Sequence, residues 1–317
     1  MAVAAEKPGS TRLRHLLDRV DALVLDRVEV LGPVFMAPAI LYMVALLGLP
    51  FLLAIYFSLT NLTINNIQTG FSFVGLANFI ELFRDSIFRQ ALRNTLVFAI
   101  ASQLLAMILG QITALVLMKD FRGKAIARVM IMLPWAVPIA LGVLGWKWMY
   151  DSLYSIINWT LRALHILGPG QWPQWLGTPN LAMISVMIVH AWKSFPFISV
   201  IILGAMTSIS QDIVDAARVD GAGFWRQTFQ IKLPIVAPIV SVGVIFGTVF
   251  AFTDMSVVWL LTKGGPINST HVLGSYAFQV GIISGDIGQG AAISLFLVPI
   301  LMLAMVLTLR AMRRREL

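Results

Sequence analysis

The sequence predicts an all-α polytopic membrane protein with six transmembrane helices and both termini in the cytoplasm. Three observations carry this expectation. Of 317 residues, 58% are hydrophobic and only 12% are charged, with a mean hydropathy of +0.85; a soluble domain carries about 25% charged residues. Several apolar runs exceed the roughly 20 residues that a spanning helix needs. The basic residues are also unevenly placed. With six spans, sixteen of the 23 lysines and arginines fall on the side of the termini. Five (Arg84, Arg89, Arg93, Arg162, Lys263) fall on the other, and Lys147 and Lys193 lie in or at the edge of spans. That bias marks the richer side as cytoplasmic.

Residues 1–32 read as a cytoplasmic segment. Within it, Arg12, Arg14, Asp18, Arg19 and Asp21 alternate with Leu13, Leu16, Leu17 and Val20 at helical spacing. This predicts an amphipathic helix over residues 12–29, lying on the membrane surface. The early charges exclude a secretory signal. Residues 33–317 read as the transmembrane domain. The first span is expected from Pro33 to Phe57, with Pro38 and Pro50 free to bend it, and a polar connection follows to residue 91. The second span runs from Asn94 to Met118, and a short basic connection carries Lys119, Arg122, Lys124 and Arg128.

The third span, Ala125 to Trp148, contains Leu133-Pro-Trp-Ala-Val-Pro138. Two prolines four apart should interrupt the helix near its first third, and the freed carbonyls need partners or a wet cavity. Residues 149–180 form an outer loop whose Trp159, Trp172 and Trp175 suit the headgroup level. The fourth span, Leu181 to Met206, holds His190, Trp192, Lys193 and Pro196; the fifth, Ile235 to Leu261, includes Asp254; the last runs from Ala291 to Leu309.

Between the fourth and fifth spans lies a polar island, about 207–234. Ser208 can cap its first helix, with Gln211 three positions later as a capping box requires. Ile209, Ile213, Ala216, Ala217 and Val219 give that helix an apolar side, and Gly221 falls where a helix ends in a left-handed turn. Pro234 then opens the next apolar helix, where a missing N–H costs nothing.

The spacing of this island resembles the cytoplasmic EAA loop of binding-protein-dependent ABC-importer permeases. Asp215-Ala216-Ala217 is followed by Gly221, then Ile231, Leu233 and Pro234, and every interval of the pattern is met; Asp215 stands where the pattern has Glu. The resemblance implies the type I permease fold and a coupling helix that docks into a groove on an ATPase subunit. Leu133–Pro138, Asp220–Trp225 and Gly264–Pro266 are similar to segments of the carbohydrate-uptake branch. From the same resemblance follow a second permease chain, two ATPase subunits that hold ATP and Mg, and an external substrate-binding protein. A glycerol phosphate is the alternative solute class within the branch.

The residues themselves exclude other chemistry. There is no cysteine, so disulfides and thiolate metal sites are absent. No P-loop, His-Glu-x-x-His or Gly-x-Ser-x-Gly run occurs, and the four histidines have no ligand spacing. The chain therefore reads as a conduit, not an enzyme, with no cofactor of its own. Lys193 and Asp254 are charges inside spans and so pathway or gating candidates, either lining the route or pairing across it. Trp146, Trp192, Tyr276, Gln279 and Asn94 supply the aromatic faces and neutral polar groups a sugar pathway needs. An autonomous secondary transporter or channel is the rival reading. It should show paired broken helices or a file of ionisable residues.

Overall fold

The structure, a computed structural model, describes residues 28–313, and the chain divides into two units, residues 1–56 and 57–317. Most of the amphipathic segment expected over residues 12–29 lies outside the described residues.

In the first unit, helix α1 (Val28–Met43) passes through a π turn (Val44–Gly48) into α2 (Leu49–Ser58), giving a span at Gly32–Ser58. The π turn ends two residues before Pro50. A wider turn absorbs the hydrogen bond that proline cannot donate, so the helix continues.

The second unit is built on three long helices: α4 (Ser86–Met118), α8 (Pro179–Thr207) and α11 (Leu233–Thr253). The α4–α8 pair makes the most extensive contact, and α11 packs on both. Before α4, the short helix α3 (Ala77–Arg84) occupies the expected polar connection, and Asp85 caps α4 by accepting from the N–H groups of Ile87 and Phe88. The second span therefore begins eight residues before Asn94.

The third span is broken, as its prolines predict, but only one proline breaks it. Helix α5 (Lys124–Ala136) runs through Pro134, and α6 (Ile139–Met149) leaves it at 97°. Val137 and Pro138 are both extended, at ψ 133 and 131. Pro138 cannot donate to the preceding turn and pushes Val137 out of the helical region. The break thus falls midway along the span. Outside the membrane, Lys124 pairs with Asp120 at 2.9 Å and holds its carboxyl below the usual range. Backbone N–H groups of Tyr154 and Leu153 do the same for Asp151.

Helix α7 (Ile156–Ala163) lies in the outer loop, and α9 (Gln211–Val219) in the polar island. The next helix begins earlier than Pro234. A short α10 (Phe224–Arg226) runs through a second π turn (Gln227–Lys232) directly into α11, so Pro234 stands inside a continuous span of Phe224–Thr253. That span ends at Thr253, and α12 (Ser256–Thr262) is a separate helix. Asp254 therefore sits at a helix end, not in mid-span.

The chain closes with α13 (Leu273–Phe278), a third π turn (Gln279–Ile283), α14 (Ile287–Leu295) and α15 (Leu297–Arg313). Among the described residues there are five helices apolar and long enough to cross a membrane, and the bent α5–α6 pair makes six.

Candidate functional site: a charged cavity and a cytoplasmic loop

Two places concentrate the polar residues of the second unit. The first is a cavity of about 300 Å³ between α8 and α11, lined by Trp135, His190, Lys193, Ser194, Phe197, Ile198, Gly247, Phe250, Thr253 and Asp254. Both charges singled out from the sequence line it, but they do not pair with each other. Asp254 accepts a 2.8 Å hydrogen bond from His190 Nδ1. Its other oxygen accepts from the N–H of Ser256, which holds the bend between α11 and α12. The opposite imidazole nitrogen, Nε2, lies 3.3 Å from the Ser194 hydroxyl, and the Phe98 ring packs edge-on to the imidazole. A half-buried carboxylate needs such partners, because leaving one unpaired is costlier than the pair.

Lys193 instead donates to the backbone carbonyls of Trp135 (2.9 Å) and Val137 (2.6 Å). These carbonyls belong to the last turn of α5 and the residue after it, where no intrahelical donor follows. The demand for partners at the broken span is met by a side chain from α8.

Gly247, in the cavity wall, lets α11 approach α4 closely. A Cβ there would come within 2.5 Å of the Gln103 amide on α4. Gln103 is only 6% exposed, and neither of its amide atoms has a hydrogen-bond partner among the described residues.

The remaining pathway candidates lie elsewhere. Trp146 and Trp192 meet edge-to-face at 5.6 Å, Trp146 packs on the buried cluster around Phe98 and Val143, and the Trp192 ring covers Gly142. Tyr276 is buried and donates its hydroxyl to Asp85. Asn94 donates to the carbonyls of Ser269 and His271, and Thr95 accepts from the N–H of Leu273. These three contacts tie α13 and the segment before it to α4, so Asn94 and Tyr276 are anchoring groups. Gln279 opens the third π turn and is half-buried.

The second place is the loop 207–234. Ser208 is not the cap of α9; it closes α8, and Ser210 caps α9 by accepting from the N–H of Asp212. The cap is displaced because α8 continues one residue past Met206 and needs its own terminal residue. At the other end Gly221 adopts φ +73, the left-handed conformation expected of it. Its N–H bonds to the Arg218 carbonyl, and the N–H of Ala222 bonds to the Ala217 carbonyl. This double closure is the Schellman motif.

The apolar side of α9 is split. Val214 and Ala217 (6% exposed) are buried within the chain, whereas Ile213 and Val219 (88% exposed) face outward, as does Ala216. Ala217 therefore belongs to the internal face and not to a docking face. Ile209 and Leu233, at the two ends of the loop, pack on one cluster formed by Ala114, Ile198, Ile202 and Val236, which fixes the loop's base. Ile231 is half-buried, and Pro234 is exposed. Asp215 is exposed and accepts from Arg218 Nη1 at 2.8 Å and from the Gln211 amide at 3.1 Å. Trp225 stacks on Phe229 at 5.7 Å with an interplanar angle of 14°, and both rings are exposed. That stacked pair escaped the sequence reading, although aromatics four apart on a helix carry the signal.

Known proteins resemble this chain across most of its length. The MalF permease of the trehalose/maltose transport system of Thermococcus litoralis is 33% identical over 223 residues, 70% of this chain and 74% of that protein. The sulfoquinovosyl glycerol transport permease SmoG of Agrobacterium fabrum is 28% identical over 309 residues, 98% of this chain and 96% of that one. Among solved structures, a bacterial ABC transporter that imports the acidic polysaccharide alginate aligns with a TM-score of 0.75 at 19% identity. It covers 92% of this chain and 97% of that chain. The fold is accordingly that of a type I ABC-importer permease. The profile of the family described as "Binding-protein-dependent transport system inner membrane component" matches residues 104–316. The chain belongs to that family of inner-membrane transport components.

Proposed function

We propose that this chain is the permease subunit of an ATP-driven importer for a sugar or sugar-like solute. It forms half of the translocation pathway and couples to an ATPase through residues 207–234. The observation that supports this reading best is the cavity between α8 and α11. It offers three aromatic faces (Trp135, Phe197, Phe250) beside the hydroxyls of Ser194 and Thr253, the imidazole of His190 and the carboxylate of Asp254. Aromatic faces match the apolar faces of sugar rings, and a few placed polar groups orient the hydroxyls. Relatives whose names give trehalose, maltose and sulfoquinovosyl glycerol transport support the same class.

The partners in this reading are a second permease chain, two ATPase subunits holding ATP and Mg, and a substrate-binding protein outside the membrane. The lysine and arginine distribution supports cytoplasmic termini and a cytoplasmic loop. Exposed Ile213 and Val219 on α9, held by the closed turn at Gly221, then form the docking face.

Co-expression with the proteins encoded beside it, mild solubilisation and identification of companions test the reading. An ATPase is expected to co-purify and to be lost when residues 212–223 are scrambled. Uptake into liposomes without ATP, by the chain alone, would overturn it.

A further inference from the structure

We propose that Lys193 is a positioning residue of the transport cycle: its ammonium holds the third span bent at Val137–Pro138 and so sets where Trp135 stands in the cavity wall. This rests in part on reading the cavity as pathway. The geometry of the break carries it. Pro138 supplies no N–H, Val137 and Pro138 are extended, and the end of α5 is left with open carbonyls. A helix C-terminus also carries partial negative charge. Lys193 answers both needs with two charge-assisted bonds, to the carbonyls of Trp135 and Val137 at 2.9 and 2.6 Å.

Its ammonium has no carboxylate bonded to it among the described residues, since Asp254 is bonded to His190 and Ser256. The helix end is therefore what the ammonium bonds, and Asp254 acts on it only through space. A kink made by proline alone would need no cation, and here one is brought across from a different helix.

The position of Lys193 makes the clamp a mechanical link. It lies on α8, which ends at Thr207, and α9 begins at Gln211. From Lys193 to Thr207 the helix rises about 21 Å, so a push on the loop is delivered along α8 to the residue that grips α5. Trp135, whose carbonyl is one of the two acceptors in that grip, lines the cavity. Displacing α8 therefore loads the bend and the cavity wall together.

The test uses the full transporter in liposomes. The chain has no cysteine, so spin labels on Ile126→Cys in α5 and Trp148→Cys in α6 report the distance across the break. With Lys193→Met the distance distribution is expected to broaden. The maximal uptake rate should fall at least tenfold, with KM changed less than threefold. Lys193→Arg, which restores the donors, should recover both. If Lys193→Met fails to assemble, Lys193→Gln, which keeps N–H donors without charge, should give an intermediate distribution.

An unchanged distribution in Lys193→Met or Lys193→Gln overturns the clamp, and so does an arginine variant no better than methionine. A raised KM at unchanged maximal rate would mean that the ammonium touches solute, which also overturns it. Loss of uptake with an intact distribution leaves the cavity reading standing and removes the clamp; an altered distribution with normal uptake kinetics overturns the role in the cycle.

Discussion

The cavity and the loop 207–234 are both polar interruptions of an apolar chain, yet they satisfy their polar groups in opposite ways. In the cavity, beside the local contacts of His190 with Ser194 and of Asp254 with Ser256, the main bonds join residues distant in sequence: His190 and Asp254 are 64 residues apart, and Lys193 and Val137 are 56 apart. In the loop they are neighbours. Ser210 bonds Asp212, Arg218 and Gln211 bond Asp215, and the amide of Gln227 bonds the Ala222 carbonyl, none more than five residues away. The cavity's long-range bonds thus form only when three helices are assembled. The loop is a self-contained unit that closes its own backbone and leaves Ile213, Val219, Trp225 and Phe229 exposed. A surface that delivers force to another protein is expected to look like the second, and a solute route like the first.

This contrast can be broken or sharpened by substitution. The largest effect is expected from His190→Leu, which leaves the Asp254 carboxylate without its imidazole partner. Losing a hydrogen bond to a half-buried carboxylate costs about 1.5–3 kcal/mol, while the His190→Leu/Asp254→Leu double variant should regain part of it. Thermal unfolding of the four proteins in detergent measures this. Additive losses would show that the two residues are not coupled.

Gly221→Val comes next. A β-branched residue at φ +73 is strained by about 1–2 kcal/mol, and the closed turn at the end of α9 opens. Insertion should be normal, with binding-protein-stimulated ATP hydrolysis reduced at least tenfold. Unimpaired hydrolysis in this variant would remove the elbow role from Gly221. Gln103→Leu should act in the other direction. It removes a buried amide without partners and is expected to raise stability by about 1–3 kcal/mol. If uptake falls while stability rises, the amide serves the pathway; if both are maintained, it is a packing residue.

The smallest effect on stability is expected from Val219→Asp, within about 0.5 kcal/mol because the side chain is exposed. Hydrolysis and uptake should nevertheless uncouple, since the charge falls on the docking face. A variant with normal coupling would place docking elsewhere on the loop, with the Trp225–Phe229 stack as the next surface to alter.

The comparison also explains what could be read from the sequence. The loop was legible because its structure is local: the interval from Ala217 to Gly221 reflects a helix end that neighbouring residues decide. The two-residue error at Ser208 is of the same local kind, since two hydroxyls near a boundary compete for one cap. The broken third span was legible from Pro138, whose effect needs only the preceding turn. Choosing which of two prolines breaks the helix was not, because Pro134 lies inside a continuous α5. In the cavity only the charges were visible. That Asp254 would take His190, and that Lys193 would reach across to α5, depends on how α8 stands against its neighbours. The ends of the fifth span were misplaced for a related reason: Asp254 bonds the N–H of Ser256 and ends the helix that hydropathy alone would continue.

The π turn at Gln227–Lys232 has a further consequence. Bonding of the i→i+5 kind accommodates one residue more than an α-helical turn, so relative to an uninterrupted α-helix this segment behaves as a one-residue insertion. Were these six residues to wind as ordinary α-helix with none removed, α10 and the preceding loop would turn by about 100° about the axis of α11. The angular phase between the loop and the span is therefore set by the winding of one turn, as the teeth of a gear set the phase between two shafts. A register change of one residue would re-aim Trp225 and α9 together, without altering any residue of the docking face.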